Sequence, residues 1–555
     1  MTNSTADTPA QGEQLSHREI MIIVGGLVLG LFLAALDQTI VSTALKTIVD
    51  DLNGASHLSW VVTAYLLTST AATPLYGKIG DLYGRKKIYL FAIILFLVGS
   101  ALCGAAQNMG QLIAFRALQG IGAGGLFALA LAIVGDIIPA SDRGRYQGYF
   151  GAVFGLASVV GPLVGGYFTD HLSWRWVFYI NIPIGLVALA VTTTVLKLPV
   201  RKTEHRVDYL GAGLVTAAVT AFILVTVWGG GHAGSTLMTP AGAQELPFTG
   251  FAWGSWEIIG LTLAGLALLG LFVAQEARHP EPILPLHLFK NDIFSVSVVL
   301  ALISGFVMFG AIIFIPQYQQ VVKGFSPTKS GLLMLPLTIG IVGGTISSGA
   351  LISKLGRYRM FPIVGSLITV VGFWLLSRID ENTSQVALSI AMVVTGLGVG
   401  LYMQVTTLAV QNSVDFKHMG AGTSATVFFR TLGGALGAAV FGSILNNRLR
   451  YNLEKLWPAG QPIPALDTFD RSVLANFTPA QTDALYESYS RGLHVLFLWG
   501  IPITVVSFLF ALALRDEPLK SHAPVGTQGA DRVASGPSRN WHGWSVWLGL
   551  DGLSQ

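Results

Sequence analysis

The stretch that decides the fold is Gly-Lys-Ile-Gly-Asp-Leu-Tyr-Gly-Arg-Lys-Lys, at residues 77–87. It joins two windows without charged residues, 52–77 and 88–115, and each is long enough to cross a bilayer as a helix of roughly 20 residues. A related run at 349–357 again joins two apolar windows. The recurrence indicates that the chain contains two related halves.

The composition is that of an integral membrane protein. Charged residues make up 11% of the 555 residues, against about 25% in soluble domains. Hydrophobic residues make up 52% and the mean hydropathy is +0.62. This is more apolar surface than one water-soluble core can bury, which excludes an ordinary cytosolic enzyme.

Charge-free windows predict an all-α integral membrane protein with 14 transmembrane helices, as two six-helix bundles plus two inserted linker helices. The predicted order is a cytoplasmic N-terminal tail at 1–18, a six-helix bundle at 19–197, a linker with the two extra helices at 198–290, a second six-helix bundle at 291–515 that includes a long outer loop at 447–491, and a cytoplasmic C-terminal tail at 516–555. Most of the 33 lysines and arginines fall on the side of the two termini. The positive-inside rule therefore predicts that both termini are cytoplasmic.

Several further motifs lie in the first half. They comprise Leu36, Asp37, Thr39, Ile40, Val41 and Ala44 in the first helix; Arg116, Gln119, Gly120 and Gly124 in the fourth; Gly161, Pro162, Gly165 and Gly166 in the fifth; and Trp174, Arg175, Trp176, Phe178, Asn181, Pro183 and Gly185 before and in the sixth. With segment 77–87 they resemble the major facilitator superfamily, and the combination is similar to its fourteen-helix drug:proton antiporter family. The resemblance implies the corresponding transporter fold in a bacterial cytoplasmic membrane.

Segment 77–87 is predicted to act as a conformational latch through Gly77, Asp81, Gly84, Arg85 and Lys86. Glycines let helix ends approach closely, and Asp81 can make and break ion pairs as the halves rock. The alternative is that the basic residues only set the topology. In the recurrence Ser353 stands at the position of Asp81, so we expect the latch to be asymmetric.

Asp37 and Arg116 are predicted to couple transport to protons. Their distances along the first and fourth helices place them about 12 Å and 9 Å from the outer helix ends. An ionised group in lipid is costly, so we expect both to face one water-filled cleft, where Asp37 exchanges protons as access alternates. The alternative is a static buried ion pair.

Gly161 and Pro162, with Gly165 and Gly166, predict a bend in the fifth helix, because proline breaks the backbone hydrogen-bond ladder. The resemblance implies that this bend seals the proton path in exporters. Polar or amphipathic positions within other helices are candidates for a substrate cavity, or else only bond neighbouring helices. These are Tyr65, Asn181, Gln317, Tyr318, Tyr402, Gln404 and Arg430.

No catalytic motif is present, so we expect no enzyme activity and no cofactor. The single cysteine, Cys103, excludes an intrachain disulfide and a cysteine-based metal cluster, and a net charge of +4 gives no sign of nucleic-acid binding. The expected partners are protons, a small lipophilic substrate and membrane lipid, with the protein a monomer.

The sequence thus favours a proton-coupled exporter of lipophilic drugs or dyes, cationic ones included, with a role in antibiotic resistance. Two alternatives remain open: an exporter of lipids or a specific metabolite with the same fold, and a non-transporting membrane receptor or assembly factor.

Overall fold

The computed structural model describes residues 17–52, 58–138, 140–196, 208–229, 236–239, 242–245, 250–415, 418–458 and 477–519. The first-half helices are α1 (His17–Asp51), α2 (Leu58–Tyr83), α3 (Arg85–Gly104), α4 (Met109–Ile137), α5 (Ala140–His171), α6 (Trp176–Tyr179) and α7 (Asn181–Val195). The second-half helices are α10 (Asp292–Val321), α11 (Pro327–Leu332), α12 (Leu335–Leu355), α13 (Met360–Ser377), α14 (Gln385–Ser413), α15 (Met419–Leu456) and α16 (Pro479–Ala513).

The linker lies between these halves in the chain. It contains α8 (Tyr209–Trp228) and α9 (Trp256–Glu276), with the antiparallel strands β1 (Thr236–Thr239) and β2 (Gly242–Glu245) between them. Helix α8 packs against α2 and α15, and α9 packs against α8. The linker helices therefore cover one side of the two bundles.

The all-α membrane fold is confirmed, with this hairpin as a small addition. In the described part of the chain, 13 helical segments are long and apolar enough to span a membrane, α6 and α7 together forming one of them and α11 and α12 another. Helix α2 has 26 residues and is more polar, since it carries several serines and threonines. It packs inside, between α4 and α15, and completes the predicted fourteen.

Each half has its own apolar core, and the halves meet mainly along two helix pairs. One pair is α2 with α15, and the other is α5 with α12. The face that holds the first residue of α1 and the last residue of α16 is here the terminal face, and the opposite one is the distal face. Segment 77–87 lies at the terminal face, where Gly84 alone separates α2 from α3 with a φ of 93° that favours glycine.

The predicted outer loop at 447–491 is wrong at both ends. Helix α15 continues to Leu456 and α16 already begins at Pro479. Charged side chains ended the apolar window, but leucines at every fourth position, Leu445, Leu449 and Leu453, keep one face of α15 buried. Residues 459–476, like the tail after 519, lie outside the described residues.

Candidate functional site

Asp37 lies in α1 with none of its surface exposed. Its Oδ2 atom is 2.5 Å from Nη1 of Arg116 in α4, whose side chain is 1% exposed. The structure therefore brings the two predicted coupling residues together as a buried ion pair.

Two amides complete the binding of this carboxylate. Gln119, one turn after Arg116, donates from Nε2 to Asp37 Oδ1 at 2.8 Å and accepts from Arg116 Nη1 at 2.8 Å. Asn181, the first residue of α7, donates from Nδ2 to the same Asp37 oxygen at 3.0 Å and to Ser100 Oγ at 3.0 Å. Side chains of α4 and α7 thus bind the α1 carboxylate, and Ser100 of α3 accepts from one of them.

Helix α2 closes the site over Arg116. The Tyr65 ring lies 4.2 Å from the guanidinium carbon, and the Val61 carbonyl accepts from Arg116 Nε at 3.2 Å. A side chain at Gly120 would overlap the Tyr65 backbone, so this glycine allows α2 and α4 to approach closely. The predicted cavity residues Tyr65 and Asn181 therefore belong to the Asp37 site.

The expectation of a water-filled cleft at Asp37 and Arg116 is wrong for this conformation, because both side chains are sealed from solvent. A buried carboxylate is tolerated when donors and an opposite charge replace water. Arg116, Gln119 and Asn181 supply that replacement. The sequence motifs contained these three residues, whereas nothing in the sequence marked Ser100 as their partner.

The glycines of α5 pack against α1 beside the ion pair. Gly161 contacts Thr39, whose Oγ1 donates to the Ala157 carbonyl at 2.9 Å, and Gly165 contacts Ile40. Gly166 is buried on the same helix and accepts from Thr169. Helix α5 continues through Pro162, so the predicted bend and its sealing role stay predictions.

The latch residues form a charged cluster at the terminal face. Arg85 lies 2.7 Å from Asp81 and 2.5 Å from Asp136, the latter at the end of α4. Asp81 Oδ2 also accepts from the Ala421 backbone N–H, 3.1 Å away at the start of α15 in the second half. A carboxylate at a helix N-terminus is favourable, so Asp81 joins the two halves electrostatically.

Of the other predicted latch residues, Gly77 takes part in this contact between the halves and Lys86 does not. Gly77 packs directly against Ser424 of α15, where any side chain would overlap. Lys86 instead donates to the Thr193 carbonyl at 2.8 Å within the first half. The Ser353 hydroxyl, at the position that recurs from Asp81, is buried and has no hydrogen-bond partner among the described residues. The charged cluster around Asp81 and Arg85 therefore has no equivalent at Ser353.

A second contact between the halves, at the same face, was not predicted. Gln411 of α14 donates to the Leu131 carbonyl at 3.0 Å, and Arg143 of α5 donates back to the Gln411 carbonyl at 3.4 Å. Burial lowers the pKa of Arg143 to about 10, so it remains charged at neutral pH. It also donates to the carbonyls of Gly135 and Ile138, at the α4 C-terminus, where a cation is favourable. The terminal face is therefore closed in this conformation.

A hydrogen-bonded tie at the distal face involves two of the motif residues. Trp174 Nε1 donates to Asp51 Oδ2 at 2.8 Å, and Arg175 Nη1 lies 3.2 Å from the same oxygen. The bond from Trp174, followed by that from Arg175, holds the pKa of Asp51 below its ordinary value. This tie fixes the end of α1 to the turn before α6.

Weakening the latch is expected to open the terminal face. Asp81→Asn removes the charge that binds Arg85 and the α15 N-terminus, and charged hydrogen bonds contribute about 1.5–3 kcal/mol. We expect Ser424→Cys, introduced in a Cys103→Ser background, to react with a maleimide about tenfold faster when Asp81→Asn is present. Asp142→Asn, which changes an exposed carboxylate near the same face, is the matched control. Equal labelling rates in both variants would refute the latch role.

The remaining predicted cavity residues do not line one cavity. Tyr318 donates to the Asp380 carbonyl in the loop after α13 at 2.6 Å, and Gln317 accepts from Tyr489 of α16 at 3.1 Å, so both bond neighbouring parts of the second half. Tyr402 is fully buried within the second half. The last two, Gln404 and Arg430, also lie in the second half, where Gln404 borders a cavity of about 10 Å³ with Thr345 and Ser348.

Known proteins share both the sequence pattern and the fold. The profile of the Major Facilitator Superfamily matches residues 27–438. An uncharacterised MFS-type transporter of Mycobacterium tuberculosis (strain H37Rv) is 40% identical over 94% of this chain and 74% of its own length. The multidrug transporter protein MdtP of Bacillus subtilis is 35% identical over 92% of this chain and 96% of its own length.

Solved structures agree on the fold alone. The proton:xylose symporter XylE bound to 6-bromo-6-deoxy-D-glucose superposes with a TM-score of 0.61 at 13% identity, covering 91% of this chain and 99% of the symporter. The human organic anion transporter MFSD10 gives 0.58 at 13% identity, covering 88% of this chain and 99% of that chain. From the profile match and these relatives, the protein is a multi-pass membrane transporter that belongs to the Major Facilitator Superfamily.

Proposed function

We propose that this protein exports small lipophilic compounds in exchange for protons, by alternating access. The observation that carries the proposal is the Asp37 carboxylate, buried within the bundle and bound by three side-chain donors. Ionisable groups inside a membrane are expensive and usually functional. A multidrug transporter protein at 35% identity and a multidrug resistance protein at 37% identity, both of Bacillus subtilis, support the substrate class.

Protonation of Asp37 would cancel the charge that holds Arg116. Arg116 would keep its bonds to Gln119 and the Val61 carbonyl, while the attraction between α1 and α4 falls. Two residues after Asp37, Thr39 packs against Gly161 of α5. Because α5 also packs along α12, a movement of α1 at the carboxylate can reach the interface between the halves.

We further propose that the terminal face is cytoplasmic and that the membrane is the bacterial inner membrane. The excess of basic residues on that side supports the orientation. One proton crossing 100 mV releases about 2.3 kcal/mol, enough for a roughly fortyfold gradient of a neutral cargo. A single carboxylate per cycle is therefore sufficient to drive concentrative export.

The test is transport by the purified protein in liposomes with an acidic lumen. Protein molecules that present the terminal face to the bath should move a lipophilic dye into the lumen against its concentration gradient. Protons should leave the lumen at the same time. Protein-free liposomes and liposomes treated with nigericin are the controls. Movement of a fluorescent lipid without any dye would favour the lipid exporter, and no proton movement with any compound would favour the non-transporting receptor.

A further inference from the structure

The second half contains a buried cation with an incomplete set of partners. Arg430 of α15 is 8% exposed, and no carboxylate among the described residues forms an ion pair with it. Its Nη2 donates to the Met403 carbonyl at 2.6 Å and to the hydroxyls of Thr406 and Thr407 at 3.4 and 3.1 Å. Its Nε is buried and bonds to no described residue. One edge of the guanidinium is thus left without an acceptor.

The other buried arginines of the described chain are balanced. Arg116 pairs with Asp37, and Arg85 pairs with Asp81. Arg143 uses all three of its nitrogens on carbonyls, two of them at the end of α4. A buried charge that lacks both a counter-charge and a full set of acceptors is costly, so the state of Arg430 requires an explanation beyond packing.

Arg430 lies beside the interface between the halves. Val427, three residues earlier and therefore on a neighbouring part of the same helix face, packs into the core of the first half. Ser424, one turn before that, contacts Gly77 of α2. Separation of α15 from α2 during transport would therefore bring water and cargo to the Arg430 side chain.

An apolar surface adjoins this position. Phe428 and Leu432 of α15 pack with Leu67 of α2 and Val219 of α8 in one apolar cluster. A cargo with a lipophilic body and one charged group would find both kinds of contact along two turns of α15. The carboxylate inside the first half, Asp37, is already held by Arg116, so a cationic cargo would first have to displace that arginine.

We propose that Arg430 binds an oxyanion carried by the lipophilic cargo, such as a carboxylate or a sulfonate. This inference rests on the proposed function and replaces the cationic cargo that the sequence favoured. The planar guanidinium suits an oxyanion, since two of its N–H groups can donate side by side. Export of an anion as a proton enters moves two charges in the same electrical direction. Exchange of a monovalent cation for a proton moves no net charge.

The test compares three dansyl probes of similar size. Dansylglycine is an anion, dansylglycinamide is neutral and N-dansylethylenediamine is a cation. Binding to the full-length protein in detergent is followed by dansyl fluorescence, which requires no proton gradient. We expect Arg430→Gln to lower the preference for dansylglycine over dansylglycinamide by about tenfold or more, and Arg430→Lys to restore part of it. Arg448→Gln, which removes an exposed arginine from the same helix, is the matched control.

The outcomes separate this inference from the proposed function. A preference for dansylglycine that depends on Arg430 supports the oxyanion site, even if no probe drives proton movement in liposomes. A failure of every probe to drive proton movement would count against proton coupling and not against the oxyanion site. Equal binding of the three probes by the unmodified protein, or an Arg430→Gln variant with an unchanged preference, would overturn the oxyanion site. Proton-coupled transport of the cation or the neutral probe would then leave the proposed exporter intact.

Discussion

Asp37→Asn is expected to reduce proton-driven transport to the level of protein-free liposomes. Asparagine can still accept the hydrogen bonds of Gln119 and Asn181, but it cannot release and rebind a proton. The substitution also leaves Arg116 buried without its counter-charge, which costs about 3–5 kcal/mol of stability. Transport in liposomes with an acidic lumen measures the first effect, and thermal unfolding of the purified protein measures the second.

A double variant separates coupling from folding. Asp37→Asn with Arg116→Gln removes both charges, so it should recover much of the lost stability, because neutral replacement of a buried ion pair is often well tolerated. Transport should stay absent, since no carboxylate remains at the site. Asp51→Asn, at the exposed end of the same helix, should transport normally. Proton-driven transport at the unmodified rate in the double variant would show that the ion pair is only structural.

Gly433→Leu is expected to destabilise the second half by about 3 kcal/mol. The backbones of α10 and α15 touch here: side-chain atoms at Gly433 would overlap the Leu302 carbonyl, and those at Gly305 would overlap the Arg430 carbonyl. A leucine must therefore push the two helices apart. The melting temperature of the purified protein measures the effect.

Gly343→Leu provides the comparison for that substitution. Gly343 lies on an exposed face of α12, and a side chain there would meet no heavy atom within 4 Å. The same change of residue in a helix should then have little effect on melting. Similar melting temperatures for the two variants would contradict close backbone packing between α10 and α15.

Helix positions and the main ion pair follow from the sequence for simple physical reasons. Charge-free windows identify the segments that lipid can surround. The constant rise per residue of a helix places Asp37 and Arg116 at similar depth. Segment 77–87 indicated a contact at a helix junction, because it combines glycines with opposite charges. These features depend on local composition and spacing.

Other features depend on which surfaces meet, and local patterns do not contain that information. The closure of the terminal face depends on Gln411 and Arg143. In the sequence, Arg143 only adds to the basic residues that set the membrane topology. The end of α15 was misplaced because Arg448 interrupts the apolar window, although Leu449 and Leu453 continue the buried face. Asn181 was assigned to a cargo cavity, since only the packed structure shows that α7 begins beside Asp37.

We expect the continuation of α15 and α16 beyond the apolar windows to act as a lever. Helix α15 has 38 residues, and its length of about 57 Å far exceeds the roughly 30 Å of the hydrocarbon layer. Asn452 Nδ2 donates to the Ser488 carbonyl of α16 at 3.3 Å, which holds the extended ends of the two helices together. A small rotation of the second half should therefore become a large displacement at the tip. A spin label at the exposed Tyr451, paired with one at the exposed Gln107 of the first half, would register that swing as a change in distance.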